Sequence, residues 1–230
     1  MTKTESFKLD QKAALESIVK HLDSLSDITK WSIIFAAIFW WSSYQKNGPI
    51  DVFGLNVSRN NAFLVGIVVY TFVNLACFFK LMRIGDLLML ISDENLLEGL
   101  SRMGTHSWDL NPFAYFGKDL APRVYGGIGY GGLIVVWCLC NSSILSLGSG
   151  AINNYGPLLY PLLVAFGVVG LATMSAISRV RRIVLVRTAE VLPDFNSILR
   201  STSLERNIFT VLGIIIGVGI SYMTLVLASK

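Results

Sequence analysis

Two stretches of this chain, Ala62 to Phe79 and Val124 to Ser149, contain no Asp, Glu, Lys or Arg. An α-helix rises about 1.5 Å per residue, so uncharged runs of this length match a bilayer hydrocarbon core of about 30 Å and are uncommon in water-soluble domains. Composition agrees: 53% of the 230 residues are hydrophobic and 15% charged, against about 25% charged in an average soluble domain. The expected fold class is all-α, a polytopic membrane helical bundle with amphipathic cytoplasmic helices.

Five apolar segments follow one another: Ile28 to Tyr44, Ala62 to Phe79, Val124 to Leu147, Pro157 to Ser178 and Ile208 to Ala228. The first is the shortest, and it carries Trp31 at one end and Trp40, Trp41 and Tyr44 at the other, the interfacial positions that amphipathic rings favour. Basic residues decide between five crossings and four. With five, sixteen of the nineteen Lys and Arg residues fall on the N-terminal side, and only Lys46, Arg59 and Lys230 fall opposite. With four, the division becomes eleven against eight. The positive-inside rule therefore favours five crossings, a cytoplasmic N-terminus and a C-terminus on the opposite side. The net charge of +4 is absorbed by this pattern and gives no reason to expect a nucleic-acid partner.

The domain reading is a cytoplasmic amphipathic helix over residues 1–27, then a transmembrane helical domain over 28–230 with cytoplasmic helical loops at 80–123 and 179–206. Leu15, Ile18, Leu22 and Leu25 form the apolar stripe of the first helix, suited to the membrane surface, the bundle or self-association. The second span is expected to continue through Leu81, Ile84, Leu88 and Ile91. A further helix starts at Ser92 or Asp93, buries Leu96, Leu100 and Met103, and stops at Gly104. Residues 105–122 read as irregular and aromatic, and Val180 to Leu192 as helical up to Pro193. Thr202 and Glu205 have capping-box spacing before the last span. The outer loop Gln45 to Asn61 reads as a small cap, and its Asn56-Val57-Ser58 fits a glycosylation acceptor.

On the last span Thr210, Gly213, Gly217, Ser221, Thr224 and Ala228 share one face. A face of small and hydroxyl-bearing residues suits close helix approach or a water-lined path, and Gly213 with Gly217 has the G-x-x-x-G spacing of packed membrane helices. The third span has a related stripe with Gly127, Gly131, Asn141 and Ser142. Its glycine run lacks the Lys of a phosphate-binding loop and reads as close packing or a hinge. Asn74 and Asn141 are the most polar residues deep in the spans, and an amide facing lipid is costly. Asn141, Ser142, Ser143, Ser221, Thr224 and Asn74 are thus the pore-lining candidates. Gly127, Gly131, Gly213 and Gly217 are the helix-packing candidates, and Arg179, Arg181, Arg182 and Arg187 the candidates for an anionic-lipid or partner contact.

The spans hold no ionisable residue in their cores, which disfavours proton-coupled transport. The two histidines lack zinc-protease spacing, and His106, Ser107 and Asp109 are too close in sequence for a catalytic relay. Cys138 and Cys140 diverge on a helix and suit neither a metal nor a bridge. The expectation is a protein without catalytic activity, metal or cofactor, whose partners are the lipid bilayer and either its own copies or other membrane subunits. A homo-oligomeric channel or pore-forming protein is the first reading. A structural or anchoring subunit of a larger membrane complex is the alternative.

Overall fold

A computed structural model describes residues 3–44, 49–52, 55–113, 120–149, 159–191 and 203–229. Six helices account for nearly all of them: α1 (Lys3–Tyr44), α2 (Arg59–Leu90), α3 (Asp93–Gly104), α4 (Leu120–Ser146), α5 (Leu159–Val191) and α6 (Ser203–Ser229). A single 3-10 turn, Leu147–Ser149, follows α4. Between α1 and α2 lies a two-stranded antiparallel hairpin, β1 (Ile50–Val52) and β2 (Leu55–Val57), with Asp51 opposite Asn56. Among the described residues the fold is all-helical apart from this small cap.

Three helices are long and apolar enough to cross a membrane: Arg59–Leu90, Leu159–Val191 and, within α4, Gly126–Ser146. A shorter apolar stretch, Thr210–Met223, lies in α6. Large apolar side chains, among them Phe72, Phe79, Val164, Leu171, Ile215 and Val218, are exposed on the outside of the bundle. Apolar surface on this scale marks a protein whose surroundings are lipid. These features identify a helical membrane bundle, with three helices of spanning length and hydropathy against the five crossings expected.

The expected division at residue 27 is not a break in the backbone. No Gly or Pro stands between Lys3 and Tyr44, so nothing interrupts the hydrogen-bond ladder and the amphipathic and apolar segments form one helix of 42 residues. In the same way α2 runs past Lys80 and Arg83 to Leu90, and α5 runs past Arg179 to Val191. Ser58 starts α2, its hydroxyl accepting a bond from the Asn61 amide at 3.3 Å. Ser92 precedes α3, whose first turn holds Asp93 and Glu94 and whose last turn holds Arg102, charges that oppose the helix dipole at each end. Thr202 of the expected capping box lies outside the described residues, as do Tyr115, Phe116 and Pro193.

The helices pack mainly as two pairs, α2 with α5 and α4 with α6, with α1 against both α4 and α2. At the charged end of the bundle one apolar core joins Leu15, Ile18, Leu22 and Leu25 of α1 to Leu81, Ile84 and Leu88 of α2. Leu96, Leu100 and Met103 of α3, and Val180 and Val184 of α5, complete it. The amphipathic stripe of α1 therefore faces the bundle. Its seat is fixed by Gln11, whose amide donates to the Leu90 carbonyl at 3.2 Å and accepts from the Ser92 amide at 2.8 Å. That bidentate contact satisfies both backbone groups at the α2–α3 joint. A second core joins Ala36, Phe63, Ile67, Tyr70, Cys140, Ile144 and Phe166 nearer the hairpin.

Candidate functional site

Between the two cores lies a polar layer built from α1, α2, α4 and α5. Asn74 on α2 is buried; its amide donates to the Tyr70 carbonyl at 2.8 Å, one turn back on its own helix. The Asn74 carbonyl accepts the Thr173 hydroxyl of α5 at 2.9 Å, a bond Thr173 shares with the Val169 carbonyl. The Cys140 thiol of α4 donates to the Ser32 carbonyl of α1 at 3.4 Å. Each contact pairs a group that would otherwise be left unsatisfied in an apolar surrounding.

At this level a cavity of about 60 Å³ opens, lined by Thr29, Ser32, Asn74, Trp108, Trp137 and Thr173 together with apolar neighbours. A water molecule occupies about 30 Å³ of liquid volume, so the space suits about two. The indole nitrogens of Trp108 and Trp137 are buried, and neither has a hydrogen-bond partner. Trp137 lies across Gly170, where an added Cβ would come 3.0 Å from the ring. Sequence reading missed this recess, because neither indole sits in a motif and Trp108 reaches the bundle from the loop after α3.

Of the pore-lining candidates, Asn141 donates to the Trp137 carbonyl at 2.6 Å, again one turn back. Ser142 donates to the Leu139 carbonyl at 3.1 Å, and Ser146 to the Ser143 carbonyl at 2.7 Å. The Ser143 hydroxyl is fully buried and has no partner. Ser221 on α6 donates to the Cys138 carbonyl at 3.4 Å. Thr224 lies on α6, and its side chain is outside what is described. The candidates thus fall into separate places: Asn74 in the polar layer, the serines and Asn141 along α4, and Ser221 in the α4–α6 seam.

The glycines explain that seam. A Cβ on Gly213 would lie 2.8 Å from the Cα of Gly131 and 2.9 Å from its carbonyl oxygen, and one on Gly217 would lie 2.7 Å from the Cys138 sulfur. Backbone meets backbone, which any larger residue prevents. Gly127 is buried on α4. Gly129 and Gly132 receive the incoming loop, since a Cβ on Gly129 would fall 2.6 Å from the Asn111 carbonyl and one on Gly132 2.8 Å from the Leu110 side chain. Asn111 holds that loop in shape, donating to the Met103 carbonyl at 2.7 Å and accepting from the Phe113 amide at 2.9 Å. The glycine run is a set of close approaches to two different neighbours.

The four arginines of α5 have different surroundings. Arg187 is largely buried; it pairs with Asp93 at 3.0 Å and Glu190 at 2.8 Å and donates to the Ile91 carbonyl at 2.9 Å. With Gln11 it clamps the α2–α3 joint. Arg181 stacks over the Tyr130 ring, 4.0 Å from its centre. Arg179 lies 3.9 Å from Asp86 and bonds the Met82 sulfur. Arg179 and Arg182 remain exposed, so an anionic headgroup finds those two more readily than Arg187.

The loop after α3 is tied back to α1. The Trp108 amide donates to His106 Nδ1 at 3.1 Å, which leaves Nε2 to meet Asp23 at 3.0 Å. His106 and Trp108 form this brace with Asp23, and His106 is used structurally. Among the described residues no group of three His, Cys, Asp or Glu side chains is arranged to hold a metal. Comparison with protein-family models, curated proteins and solved structures finds no match.

Proposed function

We propose that this chain is a non-catalytic integral membrane protein that crosses the bilayer five times and serves as a structural or anchoring subunit. The five crossings rest on the sixteen-to-three distribution of Lys and Arg, with α1 and α6 supplying the two beyond the three long apolar helices. The N-terminus is then cytoplasmic and the C-terminus opposite. Single cysteines at Ser58 and Ser229, in a chain lacking its native cysteines, are expected to react with an impermeant thiol reagent in intact cells, and one at Ser107 is not. Protection at Ser58 with labelling at Ser107 would leave four crossings.

The anchoring reading is carried by the α4–α6 seam. On the small face of α6, the best sequence candidate for a water-lined path, Gly213, Gly217 and Ser221 are taken up within the chain by Gly131 and Cys138. What α6 turns outward is Ile214, Ile215, Ile216 and Val218, a surface for lipid or for another membrane helix. A second reading, a homo-oligomeric channel, draws on the unpartnered Ser143 hydroxyl and the two unpartnered indoles, buried groups that water would satisfy. Purification in mild detergent with liposome flux separates the two. Foreign subunits in fixed ratio and ion-tight liposomes are the expected result. A single repeating chain whose conductance changes when Asn141→Leu is introduced would replace anchoring with the channel.

A further inference from the structure

On the seam between α1 and α2 an apolar groove of about 510 Å³ opens sideways, with Ile28, Phe35 and Phe39 on one wall and Val65, Val69 and Val73 on the other. It extends over about three turns of each helix, roughly 16 Å. Val65, Val69 and Trp31 at its mouth are exposed, so the groove is reached from the surrounding lipid.

Seven residues is close to two helical turns, so counting seven from the end of each wall returns to the same face about 10 Å further along. From Ile28 that leads to His21, and from Val73 to Lys80, with Arg83 one turn beyond on the edge of the same face. Among the described residues none of the three forms an ion pair or side-chain hydrogen bond. At this end of the seam burial first, and then the charges of Lys80 and Arg83, hold the His21 imidazole below its ordinary pKa. His21 is therefore neutral at pH 7, and Lys80 and Arg83, two like charges without a counter-ion, attract an anion.

We infer that the α1–α2 seam binds one glycerophospholipid with a net-negative headgroup, an acyl chain in the groove and the phosphate on Lys80 and Arg83, beside the neutral His21. Length and polarity agree together. The apolar part matches a chain, the basic part lies where a headgroup follows it, and no acidic side chain lines the groove. A zwitterionic lipid offers the same chain but adds a cation beside the charges of Lys80 and Arg83, so it binds less well. A water-soluble phosphate offers the charge without the chain and leaves the groove unfilled.

The full-length protein, stripped of lipid in neutral detergent, is titrated with phosphatidylglycerol or phosphatidylcholine of identical chains, and bound lipid is counted by native mass spectrometry. About a thirtyfold preference for the anionic lipid is expected from two interfacial basic groups at about 1 kcal/mol each. The double variant Lys80→Gln with Arg83→Gln removes the preference, Val69→Trp at the groove mouth weakens both lipids, and Arg182→Gln leaves the preference standing. Equal retention of the two lipids by the unaltered protein overturns the inference and does not depend on any variant folding. It is also overturned if Arg182→Gln alone abolishes the preference, or if glycerol phosphate competes at the same concentration as the lipid.

Discussion

The charged end of the bundle and the α4–α6 seam are both tightly packed, but by opposite means. The first interlocks Leu22, Ile84, Leu88, Leu96 and Val180, none of them measurably exposed. The second brings the Gly213 backbone onto that of Gly131 and Gly217 onto the Cys138 side chain, so glycines allow the approach. In contact with water, apolar burial drives association at about 25 cal/mol per Å². Within a bilayer the lipid is as apolar as the protein, so helices gain by close approach and by hydrogen bonds such as Thr173 to Asn74. On the proposed topology the first region meets water and the second lies in the bilayer, and each packs by the means its solvent rewards.

A paired substitution breaks or sharpens this contrast, and has the largest expected effect. Ile84→Ala removes a fully buried side chain from the charged-end core and is expected to lower stability by about 2–5 kcal/mol, seen as an earlier thermal midpoint by circular dichroism in detergent. Gly213→Leu is expected to cost about 1–3 kcal/mol, but its main effect is local. Because the obstruction is Gly131 backbone at 2.8 Å, the seam must open, and Cys138 should alkylate faster in a chain where Cys77 and Cys140 are Ser. If Ile84→Ala exposes Cys138 equally below its midpoint, the two regions are a single cooperative unit and the contrast fails.

Features carried by neighbours in sequence were legible before the fold was known. Ser92, Asp93 and Gly104 bracket α3, with Leu96, Leu100 and Met103 buried, because caps and helical periodicity are local. The stripe Leu15, Ile18, Leu22 and Leu25 marked the buried face of α1 without saying against what. The small face of α6 was visible too, but packing and water-lining demand the same residue sizes, so the pattern alone could not choose between them. Illegible were contacts that join distant positions: Gln11 to Leu90 and Ser92, Arg187 to Asp93 and Ile91, and Trp137 over Gly170. The recess between the cores follows from four helices meeting. No single periodicity encodes it.

The smallest expected effect lies at the charged end, where the charges of Lys80 and Arg83 reach His21. Burial, and secondarily those two charges, lower the His21 pKa below its ordinary 6.5 in the folded chain. In the window just below pH 6.5 the unfolded chain therefore binds a proton that the folded chain resists, and stability rises with pH through that window. It falls as the pH is lowered, and the loss is complete once His21 is protonated in the folded state as well. His21→Gln is expected to flatten this slope in thermal melts without moving the midpoint at pH 8. Lys80→Gln should reduce it only in part, since burial is the larger cause and remains. A bound anionic lipid opposes the same two charges, so adding phosphatidylglycerol should also shallow the slope, whereas phosphatidylcholine should do so less. An unchanged slope in His21→Gln would assign the pH dependence to another group and separate His21 from the basic cluster.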